Sequence, residues 1–249
     1  MVRCLIQRQR IIMSNPTRFL NGVATVTSSN PLGNYPLPDP FHTSGSTGKD
    51  VVTYSNDFMD LGNAASRTTT GVSSTFALTE GVGGIGILTP GGTTTASSIY
   101  RTAAAFQFIA GNKFWFIQRV KYSAVGTGIT GYFGMIKTGA ATTDSLLFKL
   151  DATGVVSFVS TVNNVPTTLL TTVTTATAGG WLDLAFYFDG TDILVYSSDV
   201  VVGRISGASI GSASTTLTNA ILTPITQITP AATETVSLDY TLVAQETIR

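Results

Sequence analysis

The sequence of 249 residues contains one cysteine, Cys4, and one histidine, His42. A single cysteine cannot form an internal disulfide, and a structural zinc site needs several Cys or His ligands. The presence of a single histidine also argues against most catalytic mechanisms that depend on a histidine base. We therefore predict neither a bound metal ion nor a cofactor.

Charge and long apolar runs are scarce as well. Only 11% of the residues are charged, and Lys+Arg 14 balances Asp+Glu 14, so the formal net charge is zero. A nucleic-acid binder needs a basic excess, so no nucleic-acid partner is expected. No run of 18 apolar residues occurs, and arginines interrupt the first twelve residues. We therefore predict no membrane span, no signal peptide and no membrane partner.

The residues that are abundant favour strands. Hydrophobic residues make up 43% of the chain, and 25 glycines punctuate it. The segment WLDLAFYF (residues 181–188) alternates with period two, and Asp189 and Gly190 follow it as a turn signal. Similar short runs recur, and no stretch shows an apolar stripe of helical period. The sequence predicts an all-β fold, a two-sheet antiparallel β-sandwich.

The chain divides into three predicted segments. Residues 1–13 read as a leader or upstream extension without a fixed structure. Residues 14–50 hold five of the nine prolines, which cannot continue a helix or donate to a central strand. They are predicted to form an extended N-terminal arm and linker. Residues 51–249 are predicted to form the sandwich.

Four patterns resemble chemical motifs and are interpreted as structural. GVGGIG (81–86) lacks the context of a dinucleotide loop, because Pro90 follows where a helix would have to start. GSTGKD (45–50) lacks the context of a phosphate loop, because Asp50 stands where a Ser or Thr is needed. GASIG (207–211) lacks a downstream histidine. The acids of the 181–205 region are interpreted as turn and surface residues; they are Asp183, Asp189, Asp192 and Asp199.

The segment KFWFIQRVKY (113–122) differs from the other strands because both of its faces are apolar. Trp115 and Ile117 lie opposite the face that Phe114 and Phe116 supply. Two interpretations stay open: an ordinary scatter of surface apolar groups, or a face covered by the arm or by another subunit. On the second, Trp115 and Ile117 form a subunit interface.

The run FYFDGTDILVYSSDVVVGRI resembles the meander of concanavalin A-like jelly rolls. That resemblance implies a jelly-roll form of the sandwich. The closely spaced Glu-x-Asp-x-x-Glu motif of the glucanases in that superfamily does not occur in this sequence. We therefore predict that the chain is not an enzyme.

Residues 14–249 also resemble a family of virion structural proteins of tailed bacteriophages. The likeness rests on segments such as NPTRFLNGVATVTSSNPLGNYPLPDP, ALTEGVGGIGILTPGG and VSLDYTLVAQE. It implies a decoration or cement protein on the capsid surface, made in the host cytoplasm. The implied partners are the major capsid protein and two further copies of the chain, as a homotrimer.

The arm offers the predicted contacts with the capsid, because spaced apolar and aromatic groups suit a docking segment and Arg18 is expected to pair with capsid carboxylates. These residues are Arg18, Phe19, Leu20, Tyr35, Leu37 and Phe41. The alternative function is a carbohydrate-binding jelly-roll module of a phage head fibre or tail. In that case Trp181 and Tyr196 are the candidates for stacking on sugar rings.

Overall fold

The computed structural model describes residues 18–20, 23–25, 36–38, 50–58, 67–79, 84–109, 111–137, 144–206 and 220–247. Their regular secondary structure consists of strands, with no helix among them. Among these residues, therefore, no helix is present that could cross a membrane. The chain separates into two compact units, Met1–Gly48 and Lys49–Arg249.

The strands follow one another along the whole chain. They are β1 (Arg18–Leu20), β2 (Val23–Thr25), β3 (Pro36–Pro38), β4 (Asp50–Asn56), β5 (Arg67–Thr70), β6 (Thr75–Thr79), β7 (Ile85–Thr89), β8 (Ser97–Arg101), β9 (Phe114–Tyr122), β10 (Thr130–Lys137), β11 (Ser145–Leu150), β12 (Val155–Val162), β13 (Val165–Thr175), β14 (Trp181–Phe188), β15 (Ile193–Ser197), β16 (Val200–Ile205), β17 (Leu222–Thr229) and β18 (Val236–Thr247).

The first unit contains the three short strands of the predicted arm. Strand β1 pairs antiparallel with β2, and β2 pairs antiparallel with β3. The arm region therefore contains a small three-stranded sheet of its own. The proposed boundaries after residues 13 and 50 stay a prediction.

The second unit is a sandwich of two antiparallel sheets, which confirms the predicted fold class. The seven-stranded sheet has the order β13-β12-β11-β10-β17-β8-β5. The eight-stranded sheet has the order β16-β15-β14-β9-β18-β7-β6, and β4 also pairs with β18. The consecutive strands β14, β15 and β16 form the meander expected from the sequence.

Local sequence explains the meander. On β14 the side chains of Leu182, Leu184 and Phe186 are buried on the core face, as period two requires. Ser198 and Asp199 join β15 to β16 with φ values of 45° and 68°. Positive φ at both central residues is typical of the two-residue hairpin turn whose twist matches the strands.

The core between the sheets is built on phenylalanine rings. Phe186 lies at its centre, and its ring centroid is 5.1 Å from that of Phe116 and 5.9 Å from that of Phe114 in the same sheet. Across the sandwich it is 5.5 Å from Phe158 and 6.3 Å from Phe148 of the seven-stranded sheet. One residue thus joins the apolar surfaces of both sheets.

A buried side chain also forms hydrogen bonds with both sheets of the sandwich. Gln118 of β9 is 2% exposed, and its Nε2 donates to Thr226 Oγ1 and to Thr241 Oγ1, each at 2.8 Å. Thr226 belongs to the seven-stranded sheet and Thr241 to the eight-stranded sheet. Through these two bonds the Gln118 amide links β9 to a strand of each sheet.

Candidate functional site

The outer face of the seven-stranded sheet, which points away from the core, carries a second apolar cluster. Ile136, Leu147 and Ile225 pack together there, with Tyr100 and Tyr132 against them. This cluster is separate from the core between the sheets. These three side chains are 1%, 2% and 3% exposed, so this apolar floor is closely packed rather than open to solvent.

Strand register arranges this face in rows. Gln227 of β17 lies opposite Tyr132 of β10, which lies opposite Lys149 of β11. This first row is polar and aromatic. The neighbouring row contains Gly134 and Leu147 and is apolar. Residues on directly opposite positions of antiparallel strands have their side chains in contact range, so each row acts as one strip of surface.

Gly134 of β10 lies in the apolar row and cannot carry a side chain. Its φ is +147°, and a Cβ atom added there would lie 2.4 Å from the Leu146 carbonyl oxygen and 3.0 Å from Leu147 Cα. Backbone atoms cannot move aside as a side chain can. Only glycine suits this position, because a side chain there would be directed into the backbone of β11.

A hairpin forms one wall. Asn163 and Asn164 join β12 to β13 with φ values of 51° and 67°. Asp144, 3% exposed, accepts a hydrogen bond of 3.0 Å from the Asn163 N–H. Its other oxygen lies 3.3 Å from Lys137 Nζ. Asp144, the residue before β11, therefore holds the tip of this hairpin against the start of that strand.

The floor and wall border an open cavity of about 260 Å³, which we call the groove. It is lined by Tyr132, Leu147, Lys149, Val159, Thr161, Asn164, Pro166 and Gln227. The Lys149 ammonium nitrogen lies 6.0 Å from the centroid of the Tyr132 ring. The groove thus combines a ring face, a positive charge and two side-chain amides. Concave apolar sites with a few convergent polar groups are the usual form of ligand sites.

Asp151 at the end of β11 is engaged in its own turn. Its Oδ1 accepts hydrogen bonds from the Thr153 hydroxyl at 2.7 Å and from the N–H groups of Thr153 and Val155, each at 2.9 Å. These bonds, first among them the one from the Thr153 hydroxyl, lower the pKa of Asp151. The carboxylate closes the turn between β11 and β12.

An ionisable cluster lies on the outer face of the other sheet. The Arg119 Nε lies 3.2 Å from Asp183 Oδ1, and its Nη1 lies 3.0 Å from Asp239 Oδ2. Burial raises the pKa of Asp183, against the opposing effect of the Arg119 charge. The Tyr240 hydroxyl, whose pKa burial raises, lies 3.5 Å from the same oxygen of Asp183. The acids of this cluster are paired internally.

Trp181, predicted to stack on sugars, belongs to this cluster. The Arg119 guanidinium lies 5.0 Å and the Lys121 ammonium 4.6 Å from its ring centroid. Tyr196, the other stacking candidate, is 6% exposed. Both lie on the eight-stranded sheet and neither lines the groove. Their role in stacking stays a prediction.

Trp115 and Ile117 lie on the outer face of β9 and are 1% and 6% exposed. The Trp115 ring stacks on Tyr187 at 5.3 Å, and burial, with the nearby charge of Asp189, raises the pKa of Tyr187 to about 12. Both side chains are therefore covered within the chain. The predicted subunit interface stays a prediction.

The other acids of the meander serve its turns. Asp189 Oδ1 accepts from the N–H groups of Thr191 and Asp192. Asp192 Oδ2 lies 2.6 Å from Arg204 Nη2. The interpretation of Asp189 and Asp192 as turn and surface residues agrees with these bonds. Asp199 lies in the turn between β15 and β16.

The arm residues fall largely outside what the structure describes. Arg18, Phe19 and Leu20 form β1 and Leu37 lies in β3, by their backbone only. Tyr35, Phe41, His42 and the GASIG motif at 207–211 lie outside the described residues. The predicted contacts of the arm with a capsid stay a prediction.

Sequence reasoning did not find the groove residues. Period two in SLLFKLD places Leu147 and Lys149 opposite the core face, which is a usable signal. The sequence does not show that Tyr132, 17 positions earlier, and Gln227, 78 positions later, join Lys149 in one row. That neighbourhood follows from strand pairing.

The comparisons with known proteins identify the fold. No protein-family profile matches the sequence, and no curated protein matches it. Among solved structures, an endo-1,3-beta-glucanase from Streptomyces sioyaensis superposes with a TM-score of 0.55 at 12% identity, covering 80% of this chain and 97% of the glucanase. A non-specific endo-beta-1,3(4)-glucanase of family GH16 gives 0.58 at 13% identity, covering 80% and 92%.

A third similar structure is that of a bacteriophage protein. The carbohydrate esterase of the Shiga toxin-encoding bacteriophage phi24B has a TM-score of 0.53 at 15% identity, covering 78% of this chain and 98% of the esterase. Together these neighbours show that the second unit has the jelly-roll fold of GH16 glycoside hydrolases.

One prediction from the sequence is overturned by these neighbours. We expected the chain not to be an enzyme, because the acidic glucanase motif is missing. Two glucanases and an esterase share its fold, so absence of that motif does not separate the chain from the enzymes built on this fold. The prediction of a non-enzyme is therefore wrong.

Proposed function

We propose that this chain is a carbohydrate-binding jelly-roll protein that holds a sugar chain in the groove of its seven-stranded sheet. The observation that carries the proposal is the row formed by Gln227, Tyr132 and Lys149 over an apolar floor. The C–H face of a pyranose ring is apolar and packs on an aromatic ring, while its hydroxyls need donors and acceptors around the edge. Tyr132 supplies the ring, and Gln227, Asn164 and Lys149 supply the polar groups.

Size and neighbours support the same proposal. The volume of about 260 Å³ lies just below the roughly 300–1,000 Å³ of sites for drug-sized ligands, which suits one or two sugar units. The similar structures include two glucanases and a carbohydrate esterase, whose names refer to carbohydrates.

Replacing Tyr132 by alanine tests the proposal. We expect the Tyr132→Ala variant to bind oligosaccharides about tenfold more weakly than the parent chain, because it loses the stacking surface, worth about 1.4 kcal/mol. Binding is measured by calorimetry with the best ligand from a glycan array.

Trp181→Ala is the matched control, because it removes an aromatic ring from the other sheet. Unchanged affinity in Trp181→Ala together with the loss in Tyr132→Ala supports the groove. Loss in Trp181→Ala alone would instead favour the stacking role predicted from the sequence.

A second candidate is a structural role on a bacteriophage particle. The resemblance of the sequence to virion proteins and the bacteriophage origin of one structural neighbour favour it. Under this proposal the chain binds the major capsid protein on the capsid surface, as a homotrimer. Deleting residues 14–42 is expected to abolish cosedimentation with purified empty capsids. Undiminished cosedimentation would argue against docking through the arm.

A further inference from the structure

We infer that the groove selects acidic sugars, such as uronic acids, over neutral ones; this rests on the proposed carbohydrate-binding function. The first observation is the distribution of charge between the sheets. The seven strands of the groove sheet contain four charged residues, and all of them are basic: Arg67, Arg101, Lys137 and Lys149.

The other sheet is mixed. Its strands hold the bases Arg119, Lys121 and Arg204 together with the acids Asp50, Asp183, Asp239 and Glu246. A sheet with charges of one sign favours a ligand of the opposite sign, because the field of the summed charges extends over its face.

Of the four basic residues, Lys149 is the one that lines the groove. Lys137 is already paired with Asp144 at 3.3 Å. Arg67 and Arg101 lie over the rings of Phe58 and Tyr54 at the other end of the sheet. A carboxylate in the groove would therefore meet Lys149.

No acid among the described residues forms an ion pair with Lys149. The two carboxylates that flank its strand are engaged elsewhere: Asp144 with Lys137 and the Asn163 N–H, and Asp151 with the N–H groups of its own turn. The positive charge in the groove is thus not neutralised by these neighbours. A partly buried cation that has no anionic partner gains more free energy from binding a carboxylate than a cation that is already paired.

The positions of the ring and the charge also match one sugar unit. Lys149 Nζ lies 6.0 Å from the Tyr132 ring centroid, and Lys149 and Tyr132 are cross-strand neighbours. A uronic acid stacked on Tyr132 carries its carboxylate at the edge of the sugar ring, where the ammonium can donate to it. Bonds between charged groups are stronger than those between neutral groups.

The test uses the full chain and an array of oligouronates, each beside its carboxyl-reduced neutral form. We expect the acidic members to bind about tenfold more tightly in low salt. The preference should vanish in Lys149→Met and persist in Lys149→Arg. Lys121→Met removes the same charge from the other sheet, and this control variant should keep the preference for acidic members.

The outcomes separate this inference from the function on which it rests. If the neutral members bind as well as or better than the acidic ones, selection for acidic sugars is wrong and carbohydrate binding stands. If the acidic preference survives in Lys149→Met, the assignment to Lys149 is wrong. If no member of either form binds, both the inference and the proposed function are overturned.

Discussion

The variant Phe186→Ala is expected to lose about 3–5 kcal/mol of unfolding free energy, the range for deleting a buried phenylalanine ring. Phe186 is 1% exposed, and its ring contacts rings of both sheets, including Phe116 at 5.1 Å and Phe158 at 5.5 Å. Removing it leaves a cavity between two sheets whose positions are constrained by their own ladders, so little collapse can compensate.

Urea denaturation followed by fluorescence measures this loss. Phe186→Leu is the matched control, since it keeps most of the volume and should cost less, roughly 1.5 kcal/mol. A similar slope of free energy against urea in both variants would show that stability changed rather than the unfolded state. A loss below about 1 kcal/mol in Phe186→Ala would contradict the central role of this ring.

The second large effect is expected at Gly134. The Gly134→Ala variant should lose roughly 3 kcal/mol or more, because it combines an unfavourable φ, worth about 1–3 kcal/mol, with a collision against backbone. The added Cβ would lie 2.4 Å from the Leu146 carbonyl oxygen. Relief requires β10 and β11 to move apart, which weakens the ladder under the groove.

Gly179→Ala separates the two contributions. Gly179 has φ +67°, and a Cβ there would meet nothing within 4 Å, so its substitution carries the conformational cost alone, about 1 kcal/mol. Equal losses of stability in Gly134→Ala and Gly179→Ala would mean that the collision at Gly134 is relieved at no cost. A clearly larger loss at Gly134 supports the constraint on the groove floor.

Parts of the fold followed from local patterns. The alternation in residues 181–188 predicted the core-facing side of β14, and Leu184 and Phe186 are buried there. The turn signals after β14 and β15 predicted the meander correctly. These features depend on neighbours within a few positions, so a single sequence contains them.

The groove did not follow from local patterns. In SLLFKLD the alternation separates Lys149 from Phe148 and Leu150, but it does not show which strands flank β11. Tyr132 lies opposite Lys149 because β10 pairs with β11. Gln227 lies on the other side of Tyr132 because β17 pairs with β10. The stacking candidates predicted from the sequence, Trp181 and Tyr196, lie on the other sheet.

The sequence by itself determined the secondary structure, the two-layer architecture and the scarcity of histidine, cysteine and charge. It did so because period two, turn residues and composition act over short distances along the chain. Only the tertiary structure decided which faces form a groove, and that Lys149 stands beside Tyr132 in it. The physical reason is that hydrogen-bonded registers between distant strands, not spacing along the chain, place side chains next to one another.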